Sequence, residues 1–230
     1  MVIIGVTNME LVDEIAFGFW IVVIILFLSS ALILLQKYIK SEERNKVKLA
    51  FCFMFLCLGL SRIFLVYFDY FLTELNPMVY ENYQFMWKLA NSFELAGLGF
   101  LIIVSEYAVF QGKDYYLFIL GFTVVVIIGL LIPDFFLSQN VLVYAVAFAA
   151  FIPLSWIYLA IKIPPTRKNT ILIFIGFVLF GIGLIFLSVA VVEAMAPIID
   201  IHRLYLLSAI LQIPGIIILA IGIKKMYFAR

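Results

Sequence analysis

The chain has 230 residues, of which 67% are hydrophobic and only 13% charged, and its mean hydropathy is +1.22. A water-facing domain carries roughly 25% charged residues, so a soluble enzyme or nucleic-acid-binding module is excluded and a polytopic membrane protein is expected. The net charge of +1 matters less than its arrangement, because nearly all the charges fall in short clusters between long apolar runs.

Crossing about 30 Å of hydrocarbon takes roughly 20 apolar residues at 1.5 Å per residue. Seven such runs are read along the chain, at about 15–36, 48–71, 87–111, 115–133, 141–162, 170–194 and 204–224. The expected fold is therefore all-α, a single seven-helix transmembrane domain over 1–230. The first 14 residues lack a basic region and the first run is long enough to span, so a retained first helix is expected rather than a cleaved signal.

Basic residues collect on one side of this pattern. Lys37, Lys40, Arg44, Lys46, Lys48, Lys113, Lys162, Arg167, Lys168, Lys224, Lys225 and Arg230 all lie between or after spans on that side. The opposite side carries Glu10, Asp13, Glu14, Asp69, Glu74, Glu81, Asp134, Glu193 and Asp200, against Lys88 and Arg203. By the positive-inside rule the N-terminus is outside and the C-terminus cytoplasmic, in the cell membrane.

In the second span, LAFCFMFLCLGLSRIFLVYFDYF, Arg62 interrupts a run that is otherwise oil. A charge near the bilayer centre costs at least about 2.5 kcal/mol on insertion scales. Arg62 and Glu94 of the third span lie at equal depth on consecutive antiparallel helices, roughly 10–12 Å below the outer surface; because a bidentate guanidinium–carboxylate pair would satisfy both groups, the two are expected to form an ion pair or to share one polar network. Asp69 is two turns above Arg62, and Asn91 one turn above Glu94 on the same face.

The seventh span adds Tyr205, Ser208 and Gln212 at i, i+3 and i+7, followed by Pro214, whose ring frees a carbonyl one turn earlier. Arg62, Asn91, Glu94, Tyr205, Ser208 and Gln212 are thus the candidate ligand-binding residues of an outward-facing polar pocket. Their alternative use is interhelical glue. Glu106, near the basic end of the third span, is read as a partner for Lys48 or Lys113, His202 as an interfacial histidine, and Trp87 and Trp156 as belt residues.

The fourth span has Thr123 as its only polar side chain and is expected to face lipid. Laying spans 1–3 over spans 5–7 matches Ser92 with Ser208 and Gly99 with Gly215, a 3+1+3 pseudo-repeat of the kind used by some transporters. Cys52 and Cys57 are five apart on one helix and out of disulfide geometry.

One histidine and two such cysteines cannot build a haem, di-iron or three-ligand zinc site, and GxSxG, HExxH and Gly-rich phosphate loops are absent from the sequence. No catalytic residue, metal or cofactor is expected, and no nucleic-acid partner. The seven spans resemble the opsins and G-protein-coupled receptors in topology alone; retinal attachment would need a lysine well inside the seventh span, whereas Lys224 and Lys225 stand at its end. The leading expectation is a non-enzymatic, receptor- or sensor-like protein in the lipid bilayer that binds a small molecule or ion and signals through a cytoplasmic or membrane protein partner. A small transporter or channel subunit, and a scaffold or accessory subunit with a small-residue face at Gly176, Gly181 and Gly183, are the alternatives.

Overall fold

The computed structural model describes residues 2–40, 46–110, 116–187, 189–195 and 198–225. The described residues form nine α-helices: α1 Val2–Ile39, α2 Lys46–Val66, α3 Gln84–Val109, α4 Leu117–Leu131, α5 Phe135–Ala149, α6 Phe151–Lys162, α7 Arg167–Ile185, α8 Val189–Met195 and α9 Ile201–Lys224. Six helical stretches are long and apolar enough to cross a membrane, those beginning at Leu11, Lys46, Met78, Phe135, Pro164 and Ile201. This is the make-up of a multi-pass membrane protein. The fourth expected span is shorter than the rest, because α4 has 15 residues and rises only about 22 Å.

Proline and small polar residues set most boundaries. Pro153 has no N–H to donate to the carbonyl of Ala149 four residues earlier, and α5 stops at Ala149 while α6 starts at Phe151. The expected fifth span is therefore two helices in series. Pro133 pushes Ile132 into an extended conformation and ends α4; Asp134 then accepts the Leu137 N–H at 2.6 Å to start α5. The sixth expected span is likewise broken, into α7 and the short α8. By contrast α9 runs unbroken through Pro214.

The α2 helix continues as a widened π-helical turn over Tyr67–Leu72, and a 3-10 helix follows at Pro77–Tyr83. Between them Thr73 closes the turn by donating to the carbonyls of Phe68 and Asp69. Glu74 and Leu75 then take left-handed backbone conformations, φ 50° and 55°, which plug Leu75 into the core at 5% exposure. The end of the bundle carrying this segment is called the connector end below.

Backbones approach most closely between α7 and α9. A Cβ on Gly176 would sit 2.5 Å from the Leu219 nitrogen, and one on Gly215 would sit 2.7 Å from the Phe180 nitrogen. Gly183 meets Gln212, and Gly222 meets Ile173. The glycines recur every seven residues on each helix, so the helices touch main chain to main chain at Gly176 and Gly215, while Gly183 and Gly222 make room for the side chains of Gln212 and Ile173. This corrects the expected external small-residue face: Gly176 and Gly183 point inward, and only Gly181 meets open space.

The α4 helix packs on α5 and α3 and buries only Phe122 and Gly129. Thr123 is exposed, as are Leu117, Leu120, Val124, Ile127, Ile128 and Leu131, in accord with a lipid-facing position. Residues that the pseudo-repeat would equate behave differently: Ser92 donates within its own helix to Lys88, whereas Ser208 reaches across to Gly183.

Candidate functional site

Arg62 is 1% exposed and its Nη2 donates to Glu94 Oε2 at 2.7 Å. Helix α2 buries Arg62 on the same face as Leu58 and Val66, and α3 brings Glu94 opposite at matching depth. Ser61 Oγ approaches the same Glu94 oxygen at 3.3 Å. The contact uses one guanidinium nitrogen rather than the bidentate fork that a buried Arg–carboxylate pair often adopts. The Arg62 Nε has no hydrogen-bond partner. The other side of the cation lies over the Trp20 ring, with Cζ 5.6 Å from its centroid, where the aromatic quadrupole attracts it.

Trp20 is the contribution of α1 that reading for polar residues does not reveal. It is 2% exposed, and its ring meets Tyr205 of α9 edge-on at 6.5 Å. Tyr205 in turn lies against the Asp69 carboxylate and edge-on to Tyr70 at 6.5 Å. Asp69 is 7% exposed, and among the described residues no cationic nitrogen stands within ion-pair distance of it. Tyr80 of the connector shares this neighbourhood with Asp69 and Tyr205 and meets the Phe68 ring at a tilt, centroids 5.1 Å apart.

Trp20, Arg62, Leu65, Val66, Asp69, Tyr70 and Leu187 line a narrow cleft between α1, α2 and the residue just beyond α7. It offers about 10 Å³ to water-sized occupants, room for about one water molecule. Several polar atoms around it lack partners: Trp20 Nε1, Arg62 Nε, Tyr70 Oη and, in the same cluster, Tyr80 Oη. Buried polar groups are normally satisfied, so this concentration marks the cluster off from the rest of the interior.

No family model, curated protein or solved structure matches the chain. Its function has to be argued from the chemistry of these residues.

The six candidate residues separate into three groups. Arg62 and Glu94 are joined, and Tyr205 belongs to the same cluster through Trp20 and Asp69. Ser208 and Gln212 face α7 instead, with Ser208 Oγ donating to the Gly183 carbonyl at 2.7 Å and Gln212 Nε2 donating to Ser208 Oγ at 3.0 Å. Gln212 Oε1 is buried without a partner. Asn91 spends its amide on the Trp87 carbonyl of its own helix at 2.9 Å and adds no link to the pair.

Past Gln212 on α9 the neighbours become aromatic. Phe180 lies against Gly215 and meets Phe27 at 5.6 Å, and Phe27 meets Phe55 at 6.2 Å. All three rings are fully buried and form an aromatic layer across α1, α2 and α7.

Glu106 forms no ion pair with Lys48; its carboxylate accepts the Phe118 N–H at 2.7 Å and the Ile119 N–H at 3.3 Å, and Lys113, the other expected partner, lies outside the described residues. Trp156 is not a belt residue but is fully buried against Phe51, ring centroids 6.3 Å apart. Histidine 202 joins two helices, its Nδ1 lying 2.5 Å from Asp13 Oδ1 of α1. Cys52 and Cys57 are free.

Proposed function

We propose that the chain is a non-enzymatic, seven-helix protein of the cell membrane that senses a small ion at its connector end, with the N-terminus outside and the C-terminus in the cytoplasm. Arg62, Glu94 and Tyr205 are the binding residues at the cluster, with Ser208 and Gln212 below them on α9 and Asn91 one turn above Glu94 on α3. The seventh crossing is α4, which a locally thinned bilayer accommodates. The observation that carries this reading is Arg62: a fully buried cation, held by one bond to Glu94 and one aromatic face, beside a cleft the size of a water molecule. Intramembrane ionisable residues are functional candidates by default.

The cleft size narrows the ligand from a small molecule to an ion-sized species. An occupant that competes for Arg62 or Glu94 changes the pair, and the pair ties α2 to α3, so ligand and helix arrangement are linked. The signal leaves through the basic loops to a cytoplasmic or membrane protein partner. The aromatic layer of Phe27, Phe55 and Phe180 favours sensing over a transport path, because it sets three fully buried apolar rings directly below the candidate polar residues.

The test is thermal unfolding of the purified protein, Arg62→Ala, Glu94→Ala and the double variant, each with a panel of salts and small molecules. An ion that stabilises the wild type and none of the variants supports the reading. Losses in both single variants that the double variant recovers, with no ion stabilising any form, would reduce the pair to interhelical glue.

A further inference from the structure

We infer that the species sensed at this cluster is the proton, and that Asp69 is the group that takes it up. The inference rests on the ion-sensing reading above and names its ligand. The cluster holds two carboxylates, Asp69 and Glu94, for one guanidinium, and Arg62 gives its ion-pair contact to Glu94. Asp69 is left buried at 7% exposure with no cation at ion-pair distance among the described residues. An ionised carboxylate taken out of water without a partner is costly, and the group is neutralised by a proton or compensated by a metal cation.

The geometry decides between the two. Hard cations such as calcium or magnesium take six or more oxygen ligands, but the cleft has room for about one water. Among the described residues no group of three or more His, Cys, Asp or Glu side chains could hold a metal. A proton needs no volume. It forms an O–H bond on one Asp69 oxygen, delivered by hydronium of the bulk solution through the cleft with water left behind, and turns an acceptor-only carboxylate into a group that also donates.

The groups facing Asp69 suit that exchange. Tyr205 comes from α9, Tyr80 from the connector, Tyr70 from its own turn, and Arg62 from two turns below on α2. Asp13 of α1 acts electrostatically on Tyr70 and carries His202 as its partner. Ionised Asp69 attracts Arg62 upward and away from Glu94, whereas neutral Asp69 leaves Glu94 as the sole counter-ion. Proton uptake therefore sets the position of Arg62, and Trp20, stacked on it, reports the change.

The experiment is infrared difference spectroscopy of the full chain in lipid vesicles between alkaline and acid pH, together with tryptophan emission over the same range. A protonated-carboxyl band appears on acidification, is lost in Asp69→Asn and is kept in Glu94→Gln. The emission change follows the same midpoint and disappears in Trp20→Phe. Asp69→Glu, which retains the carboxyl group, keeps the band with a displaced midpoint and shows that the site tolerates substitution. Persistence of the band and of the emission change in Asp69→Asn would overturn the assignment. Emission that responds to an added salt at fixed pH, with no carboxyl band, would overturn the proton while leaving ion sensing in place; no response to pH or to any salt would overturn both.

Discussion

Lys88 and Glu106 of α3 grip opposite ends of α4. The Lys88 ammonium donates to the carbonyl of Ile132 at the C-terminal end of α4, and the Glu106 carboxylate accepts the N–H groups of Phe118 and Ile119 at its start. Gln84 adds a bond to the Pro133 carbonyl at 2.7 Å. A cation at the negative end of a helix dipole and an anion at the positive end are both favourable, and in an apolar surrounding the unpaired end groups of α4 have few other partners. This short apolar helix is thus held at both ends by its antiparallel neighbour.

Glu106→Ala is expected to destabilise the protein by about 1–3 kcal/mol, since it leaves two α4 donors unpaired at a site from which water is largely absent. Glu106→Gln keeps an acceptor and is expected to lose less. Thermal unfolding in detergent measures both; equal melting temperatures for Ala and wild type would show that α4 does not need the clamp.

For the Arg62–Glu94 pair, removing one partner strands the other. Arg62→Ala is expected to cost about 3 kcal/mol, at the low end for a buried pair because Glu94 keeps 16% exposure. Adding Glu94→Ala is expected to recover part of the loss, giving a coupling energy of about 1–3 kcal/mol. Additive losses in denaturant unfolding would mean that the two residues are energetically independent.

The α7–α9 contact predicts a contrast among glycines. Gly176→Ala and Gly215→Ala place a methyl group under 3 Å from a facing backbone nitrogen and are expected to cost about 1–3 kcal/mol. Gly181→Ala enters open space and is expected to be neutral or to stabilise by up to about 1 kcal/mol through helix propensity. The melting temperatures of the three variants decide it, and a loss in Gly181→Ala as large as in Gly176→Ala would contradict the packing.

At the connector, Glu74 and Leu75 share a left-handed backbone but not an environment. Glu74 is exposed, so Glu74→Gly relieves the strained φ and is expected to be neutral or stabilising by about 0.5–1 kcal/mol. Leu75→Gly relieves the same strain but removes a buried side chain, with an expected net loss of about 2 kcal/mol. Equal effects in unfolding experiments would mean that Leu75 does not anchor the segment.

Much of the helical layout was legible in the chain, because length and hydropathy are local properties and bilayer thickness converts them into spans. The pairing of Arg62 with Glu94 was legible for a related reason: depth follows from residue count, and an isolated charge at that depth demands a partner. The breaks at Ala149 and beyond Ile185 were missed. Pro153 could have signalled the first, but its effect falls on a carbonyl four residues earlier, inside a run that reads as continuous oil.

What the sequence alone determined, then, is that the chain is helical and apolar and which residues share a depth. The tertiary structure decided which way each helix turns. Helices apolar on every side carry no hydrophobic stripe to orient them, so rotation is set by close packing and by polar groups finding partners. That is why Gly176 proved internal, why Glu106 met the start of α4, and why Asp69 came to lie among Tyr70, Tyr80 and Tyr205, contributed by three separate segments.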